Sequence, residues 1–358
     1  MTATALDEID LAGCQGVDIF CSSPFYVRRA LTIAARLRSL VPVTCWYKSG
    51  GPVELFLESL TSRGLVEAGC WMDTPVRYKS SRPWTVYGVR KRLAAQLSLG
   101  KFSFCGHCVF YEGDYPEPSL HSIIAFLSRR NRVYRFADEG HDIYPASRIS
   151  LKGRIRVLAD RLAFGFRAAP RLRYGLESRY LNFFDSAFYG ALSVSLVPDD
   201  CILEPFLYPI NAPQKRPVTV LLESKEEEAT CHDYHSTLGR LISELEERGW
   251  SIVAKGHPRL GNSQALDELG IAKLDQHIPM EMFDLSQVHA VFGLCSSGMV
   301  SSALAGIPTF SVEPLFSRID STKAAWSMNF LQTHPAWDGG KPRLSFISEW
   351  NQLPDAMI

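Results

Sequence analysis

The stretch VDIFCSSP at residues 17–24 decides the fold class, because it joins a strand to a helix in the order that opens a parallel sheet. Val17–Cys21 is an apolar run that predicts a buried strand. Ser23 is a favourable N-cap and Pro24 a favourable first helical residue, so a helix is expected to follow. A second strand is predicted at 41–47, and this βαβ unit indicates a doubly wound α/β sheet.

The same alternation continues through the first half of the chain. An apolar strand is predicted at 102–111, an amphipathic helix at 119–129 and another strand at 132–137. The last of these strands runs directly into Asp138-Glu139-Gly140. Because ligands bind at the carboxyl ends of the strands in such sheets, this acidic pair is a candidate for the active site.

A proline-rich run at 198–217 predicts a linker, after which a second α/β lobe begins. Strands are predicted at 218–222, 250–254 and 288–295, with an amphipathic helix at 232–248. We therefore divide the chain into a first lobe, a linker, a second lobe and a terminal segment that is a candidate to pack back on the first lobe. Their ranges are 1–197, 198–217, 218–320 and 321–358.

Composition excludes several classes of protein. An apolar fraction of 46% supports a real core, and a net charge of zero with 21% charged residues argues against disorder and nucleic-acid coating. No uncharged apolar run reaches the length of about 18 residues that a membrane span needs. The acidic N-terminus is unlike a signal peptide, so we expect a cytoplasmic protein.

The nine cysteines are scattered and odd in number, which indicates reduced thiols rather than a disulfide framework. Cys105-Gly-His-Cys108 has the spacing of a metal-ligand pair, but no second pair lies near it in the sequence. We favour a plain strand with small residues there and expect no metal.

Three polar clusters each follow a predicted strand, at 138–140, 255–259 and 295–298. Each of them alone is most often an exposed turn, a loop start or a helix cap. Their joint occurrence is the functional signal. The free N–H groups and positive dipole end of a helix start, with the hydroxyls of Ser296 and Ser297, predict a phosphate site that needs no metal. Lys255 and His257 follow a neighbouring strand and can add donors to that phosphate.

The acidic pair of the first lobe completes this interpretation. A carboxylate opposite a bound leaving group is suited to act as a general base. A hydrolase that uses paired carboxylates would instead need both around one sugar. The residues therefore favour transfer from a nucleotide sugar.

Taken together, the clusters resemble the signature of the bacterial sialyltransferases and polysialyltransferases: an acidic-acidic-Gly motif, a His-Pro motif and a paired-Ser motif, in that order. Here they read Phe-Ala-Asp138-Glu139-Gly140, Lys255-Gly-His257-Pro258-Arg259 and Cys295-Ser296-Ser297-Gly298. The opening strand–Ser-Ser-Pro–helix and the segment Ile278-Pro279-Met280-Glu281 share in the resemblance. The resemblance covers most of the chain. Outside the motifs it is a resemblance in the pattern of predicted elements only.

The resemblance implies a GT-B fold, with two Rossmann-like lobes and the active site in the cleft between them. It also implies a metal-independent, inverting glycosyltransferase that uses CMP-sialic acid and needs no cofactor. By motif, Asp138 would be the general base and His257 would stabilise or protonate the departing phosphate. Ser296 and Ser297 would hold that phosphate, and Glu281 would bind the ribose hydroxyls.

The remaining candidate residues flank these positions. Lys255 and Gly298 are expected on the donor side. The further candidates are Glu139, Gly140, Ser22, Ser23 and Pro258.

Residues 151–180 carry eight basic side chains against two acidic ones. This stretch is either a solvated helical surface or a contact for an anionic partner. The partner would be a polyanionic or lipid-linked glycan acceptor, or the inner face of the cytoplasmic membrane. Nothing else in the sequence supports nucleic-acid binding.

Two other interpretations stay open. One is another GT-B glycosyltransferase or a nucleotide-sugar epimerase with a different donor, such as CMP-Kdo or a UDP-sugar. The other is a non-catalytic capsule-assembly protein that keeps the fold. The acceptor also stays open among lipooligosaccharide, capsular polysaccharide and a lipid-linked primer.

Overall fold

The computed structural model divides the chain into two compact units, Met1–Pro205 and Phe206–Ile358. This division falls inside the stretch 198–217 that the sequence predicts as a linker. The residues that the structure describes are 4–71, 102, 104–112, 118–136, 192–195, 200–211, 216–258, 260–333, 337 and 343–356.

The first unit contains a seven-stranded parallel sheet with the order β1-β7-β6-β5-β2-β3-β4. Its strands are β1 Thr4–Ala5, β2 Val17–Phe20, β3 Val43–Lys48, β4 Glu67–Trp71, β5 Cys108–Glu112, β6 Arg132–Phe136 and β7 Leu192–Ser195. The helices are α1 Pro24–Leu37, α2 Glu54–Ser62, α3 Pro118–Leu127 and α4 Asp200–Leu203. The predicted strands and helices at these positions are present, with bounds shifted by a few residues, except at β5. That strand begins at Cys108 and not at residue 102, so the prediction of a plain strand through Cys105–Cys108 is wrong: residues 104–107 are not in a strand, and Gly106 has a φ of +73°, which extended backbone does not have.

The apolar residues that predict these elements are the ones that the fold buries. In α1, Val27, Leu31 and Ala34 recur at helical spacing and are at most 2% exposed. Phe20 and Tyr111, from neighbouring strands, belong to a buried cluster that also includes the buried face of α3. Each fully buried large apolar side chain stabilises the fold by about 1.5–3 kcal/mol.

The second unit contains a six-stranded parallel sheet with the order β10-β9-β8-β11-β12-β13. Its strands are β8 Val218–Glu223, β9 Ser251–Gly256, β10 Ala272–Lys273, β11 Val288–Gly293, β12 Thr309–Ser311 and β13 Ser345–Phe346. The helices are α5 Lys225–Glu228, α6 Tyr234–Glu247, α7 Gln264–Glu268, α8 Ser297–Leu304 and α9 Ser321–Gln332, with 3₁₀ turns at Met280–Met282, Leu285–Gln287, Glu313–Leu315 and Trp350–Gln352.

The predicted amphipathic helix is α6. Leu238, Leu241 and Leu245 on its apolar face are completely buried in the core of the second lobe. The chain leaves the helix at Gly249, whose φ of +89° is the left-handed conformation that glycine adopts without a Cβ penalty.

Six strands of each sheet follow one topology. Counted along the chain from β2 and from β8, both sheets have the order 3-2-1-4-5-6 of Rossmann-like domains, and β1 extends the first sheet beyond β7. The prediction of two Rossmann-like lobes with parallel sheets, the lobe architecture of the GT-B class, is confirmed. The strand order reverses between β2 and β5 and between β8 and β11, which are the positions where such sheets bind ligands.

The second lobe extends past residue 320, where the sequence analysis ends it. Strand β13 pairs in parallel with β12. Farther on, the carbonyl of Pro354 accepts a hydrogen bond from the indole N–H of Trp250 at 2.9 Å, and the amide of Ala356 donates to the carbonyl of Arg248 at 3.0 Å. The last described residues therefore pack on the second lobe, because they complete its sheet edge and cover Trp250.

Candidate functional site

The acidic motif Asp138-Glu139-Gly140 lies outside the described residues, as does the basic stretch 151–180. The strand that precedes the motif, β6, ends at Phe136. The general-base assignment therefore stays a prediction.

Ser22 and Ser23 lie between β2 and α1, next to the carboxyl end of β5. Ser23 is the N-cap residue of α1, but its hydroxyl makes no capping bond. Instead Glu112, the last residue of β5, accepts hydrogen bonds from the backbone N–H of Ser22 at 2.9 Å and of Ser23 at 3.1 Å, and from the Ser22 hydroxyl. The buried Glu112 carboxylate thus accepts hydrogen bonds at the N-terminus of α1, at the switch point of the first sheet.

In the second lobe the paired serines lie at the switch point of the sheet. Ser296 is the N-cap residue of α8, and its Oγ accepts a hydrogen bond from the Gly298 N–H at 3.2 Å. Ser297 is the exposed first residue of that helix. The helix start, three residues beyond the end of β11, faces the place where nucleotide phosphates bind in Rossmann-like sheets.

Gly298 allows close packing beneath this turn. A Cβ at that position would lie 3.2 Å from Cδ1 of Leu222 on β8 and 3.3 Å from Cβ of Met280. Met280 begins the 3₁₀ turn that carries Glu281. The glycine therefore brings the Glu281 turn against the first turn of α8.

Glu281 is fixed to the same helix. Its Oε1 accepts a hydrogen bond from Oγ of Ser301 at 2.9 Å, and Ser301 lies one helical turn after Ser297. The structure thus brings together two of the predicted donor-binding elements, the paired serines and Glu281, along one side of α8.

Lys255 is on the same edge of the sheet but is buried, with 3% exposure. Its ammonium donates to the carbonyl of Gly256 at 2.5 Å and to that of Gln276 at 3.1 Å. Burial lowers its pKa to about 8, although the negative charges of Glu281 and Asp275 raise it. These contacts tie the end of β9 to the segment leading to Glu281, while direct contact with a donor stays a prediction.

His257 and Pro258 follow β9 in a tight loop. The Nδ1 of His257 accepts a hydrogen bond from the Leu260 N–H at 3.3 Å, and the His257 carbonyl accepts one from the Gly261 N–H at 2.9 Å. A Cβ on Gly256 would lie 1.9 Å from Oδ1 of Asn262, so a larger residue there would require the Asn262 side chain to move.

Sequence reasoning missed a group of buried charged residues behind these loops. Arg318 forms two hydrogen bonds of 2.5–2.6 Å with the Glu313 carboxylate, and both side chains are at most 3% exposed. Burial, with a contribution from Glu223, raises the pKa of Glu227 to about 8, although Arg318 opposes the shift. Periodicity could not reveal this group, since its members come from separate elements: Glu223 ends β8, Glu227 lies in α5, and Glu313 and Arg318 follow β12.

The described residues include neither a metal-binding cluster nor a membrane-spanning helix. They contain no group of three or more histidine, cysteine or carboxylate side chains arranged to hold a metal ion. No helix among them is long and apolar enough to cross a bilayer.

No family model and no curated protein matches the chain. Among solved structures, it is similar to an α/β-galactoside α-2,3-sialyltransferase from Photobacterium phosphoreum, with 11% identity, 93% of this chain and 99% of the other covered, and a TM-score of 0.47. The glycotransferase of kitacinnamycin has 10% identity, 93% and 86% coverage and a TM-score of 0.45. A UDP-GlcNAc 2-epimerase from Neisseria meningitidis has 10% identity, 87% and 85% coverage and a TM-score of 0.41.

Proposed function

We propose that this protein is an inverting glycosyltransferase that takes sialic acid, or a related acidic sugar, from a CMP-linked donor and transfers it to a bacterial surface glycan. The observation that carries the proposal is the arrangement on α8, where Ser296 and Ser297 begin the helix and Ser301 holds Glu281 one turn later. A phosphate at the helix start and a ribose beside a carboxylate are the two recognition needs of a nucleotide.

The phosphate is held without a metal in this proposal. The N-terminal N–H groups of α8, together with the hydroxyls of Ser296 and Ser297, stabilise the negative charge that grows on the phosphate as it leaves. His257 adds a donor from the end of β9. Since its Nδ1 accepts from the Leu260 N–H, the neutral ring carries its proton on Nε2, and this is the N–H that it offers to the phosphate.

The chemical step is a single displacement. The acceptor hydroxyl loses its proton to Asp138, its oxygen forms a bond to the anomeric carbon, and the bond from that carbon to the phosphate oxygen breaks with both electrons on CMP. A general base of this kind accelerates the reaction by about a hundredfold to ten-thousandfold. The basic stretch 151–180 is proposed to bind a polyanionic or lipid-linked acceptor, at the inner face of the cytoplasmic membrane.

The experiment is a donor screen with a product assay. The protein is mixed with CMP-sialic acid, CMP-Kdo or UDP-GlcNAc and a panel of glycan acceptors, and nucleotide release is measured with and without acceptor. We expect acceptor-dependent CMP release from CMP-sialic acid and its loss in His257→Ala. Turnover of the UDP-sugar instead would indicate an epimerase or another transferase, and CMP binding without any turnover would indicate a non-catalytic protein.

A further inference from the structure

The loop that carries His257 is closed by bonds to its neighbour along the sheet edge. The described residues 257, 258 and 260–263 lie between the end of β9 and the start of α7. The carbonyl of Gly261 accepts a hydrogen bond from the Lys225 N–H at 3.3 Å, so the loop after β9 is joined to the loop after β8. The position of His257 therefore depends on residues that follow β8.

The strongest of these connections is made by Glu223, the last residue of β8. Both of its carboxylate oxygens lie 3.1 Å from the backbone N of Ser263, the N-cap residue of α7. The hydroxyl of Tyr234 donates to Oε1 of the same carboxylate at 2.7 Å. Glu223 is 5% exposed, and a buried carboxylate is retained only where hydrogen bonds compensate its lost hydration.

The loop in turn fixes the imidazole. The Leu260 N–H points at Nδ1 of His257 across 3.3 Å, three residues before the backbone N that Glu223 holds. A backbone N–H in that position donates only to an unprotonated Nδ1, so the loop selects the ring tautomer with hydrogen on Nε2. Movement of Ser263 would carry Leu260 away and release the ring.

We infer that Glu223 is a positioning residue for His257: its carboxylate anchors Ser263, and the closed loop holds the imidazole in the Nε2–H form through Leu260. The catalytic consequence rests on the proposed function, whereas the anchoring itself does not. Glu223 does not touch the donor in this account, because it is buried and its oxygens are engaged by Ser263 and Tyr234.

Two variants test the anchor. Glu223→Gln keeps one carbonyl oxygen for the Ser263 N–H, and Glu223→Ala removes both. Glu228→Gln is the matched control, since the Glu228 carboxylate accepts from the next two N–H groups, those of Gln264 at 2.9 Å and Ala265 at 3.2 Å, without contacting Ser263. A circular dichroism melt of each variant shows whether it is folded.

The first measurement is a double-mutant cycle on turnover of CMP-sialic acid. We expect Glu223→Ala to lower kcat about 10- to 100-fold, Glu223→Gln to lower it less, and Glu228→Gln to stay within about twofold of wild type. In a His257→Ala background, Glu223→Ala should cost nothing further, because both changes remove the same interaction. Multiplicative losses would overturn the inference, since Glu223 would then act independently of the ring.

The second measurement is amide hydrogen exchange, which needs no substrate. The amides of Leu260 and Ser263 should exchange faster in both Glu223 variants, while that of Val291 in the centre of β11 should not change. Unchanged protection of Leu260 in a folded Glu223→Ala would overturn the anchor. If the wild-type protein neither binds CMP nor turns over its sugar, the proposed function fails, and the exchange experiment still decides the role of Glu223 in holding this loop.

Discussion

The Oγ of Ser301 lies 2.9 Å from Oε1 of Glu281, and this bond joins the second turn of α8 to the 3₁₀ turn before β11. Glu281, in the turn Met280–Met282, is thereby fixed relative to Ser297 at the start of the same helix. A nucleotide whose phosphate lies at the helix start would then meet a carboxylate at a fixed distance. The proposed donor site depends on this relationship.

Removing the charge of the Glu281 carboxylate tests whether this group contacts the ribose. We expect Glu281→Gln to weaken CMP binding about tenfold, because a hydrogen bond to a charged group contributes about 1.5–3 kcal/mol. Binding of 2′-deoxy-CMP, which lacks one of the hydroxyls, should change much less. Calorimetric titrations of both nucleotides measure these affinities, and Ser301→Ala should weaken CMP binding by an intermediate amount. Equal losses of affinity for both nucleotides would mean that the Glu281 carboxylate does not contact the ribose hydroxyls.

The predicted general base should affect rate and leave affinity alone. Asp138→Asn keeps the shape of the side chain but cannot accept the proton, so kcat should fall about a hundredfold to ten-thousandfold. CMP affinity should stay close to wild type, since the carboxylate does not contact the nucleotide in this proposal. Glu139→Gln is the control, and an active Asp138→Asn enzyme would show that another residue is the base.

Glu227 should make folding stability depend on pH. Its pKa is raised from 4.5 to about 8 in the folded protein, chiefly by burial. As pH rises from about 4.5 to about 8, the unfolded chain loses this proton first, so the free energy of unfolding decreases across that window. Glu227→Gln removes the titrating group and should lose less stability than wild type between pH 5 and pH 8.5.

The measurement is the urea-unfolding free energy at both pH values. The difference between the two proteins should be at least about 1 kcal/mol, the equivalent of roughly one pKa unit. Glu226→Gln, an exposed neighbour in α5, should follow the wild-type curve. Parallel curves for wild type and Glu227→Gln would mean that Glu227 does not titrate in this range.

Local patterns predicted the elements and part of the site. The apolar runs and the helix-start residues at Pro24 and Ser296 were sufficient to predict two Rossmann-like lobes, because strand and helix signals come from neighbouring residues. The shorter or outer strands β1, β4, β7, β10, β12 and β13 were not predicted. The contact between Glu112 and Ser22 was not predictable in this way, since 90 residues separate the partners. Lys255 shows the same limit, because its sequence position suggests a phosphate donor whereas burial directs its ammonium to backbone carbonyls.

The most direct test of the central claim is a thermal-stability titration of the wild-type protein with CMP, UDP and GDP in the presence of EDTA. A hundredfold excess of CMP over its dissociation constant should stabilise the protein by about 2.7 kcal/mol, and UDP and GDP should have much smaller effects. The double variant Ser296→Ala/Ser297→Ala should lose this response, while Ser317→Ala, whose hydroxyl bonds the Asp233 carboxylate, should retain it. Equal stabilisation by UDP, or loss of the CMP effect on chelation, would contradict the account.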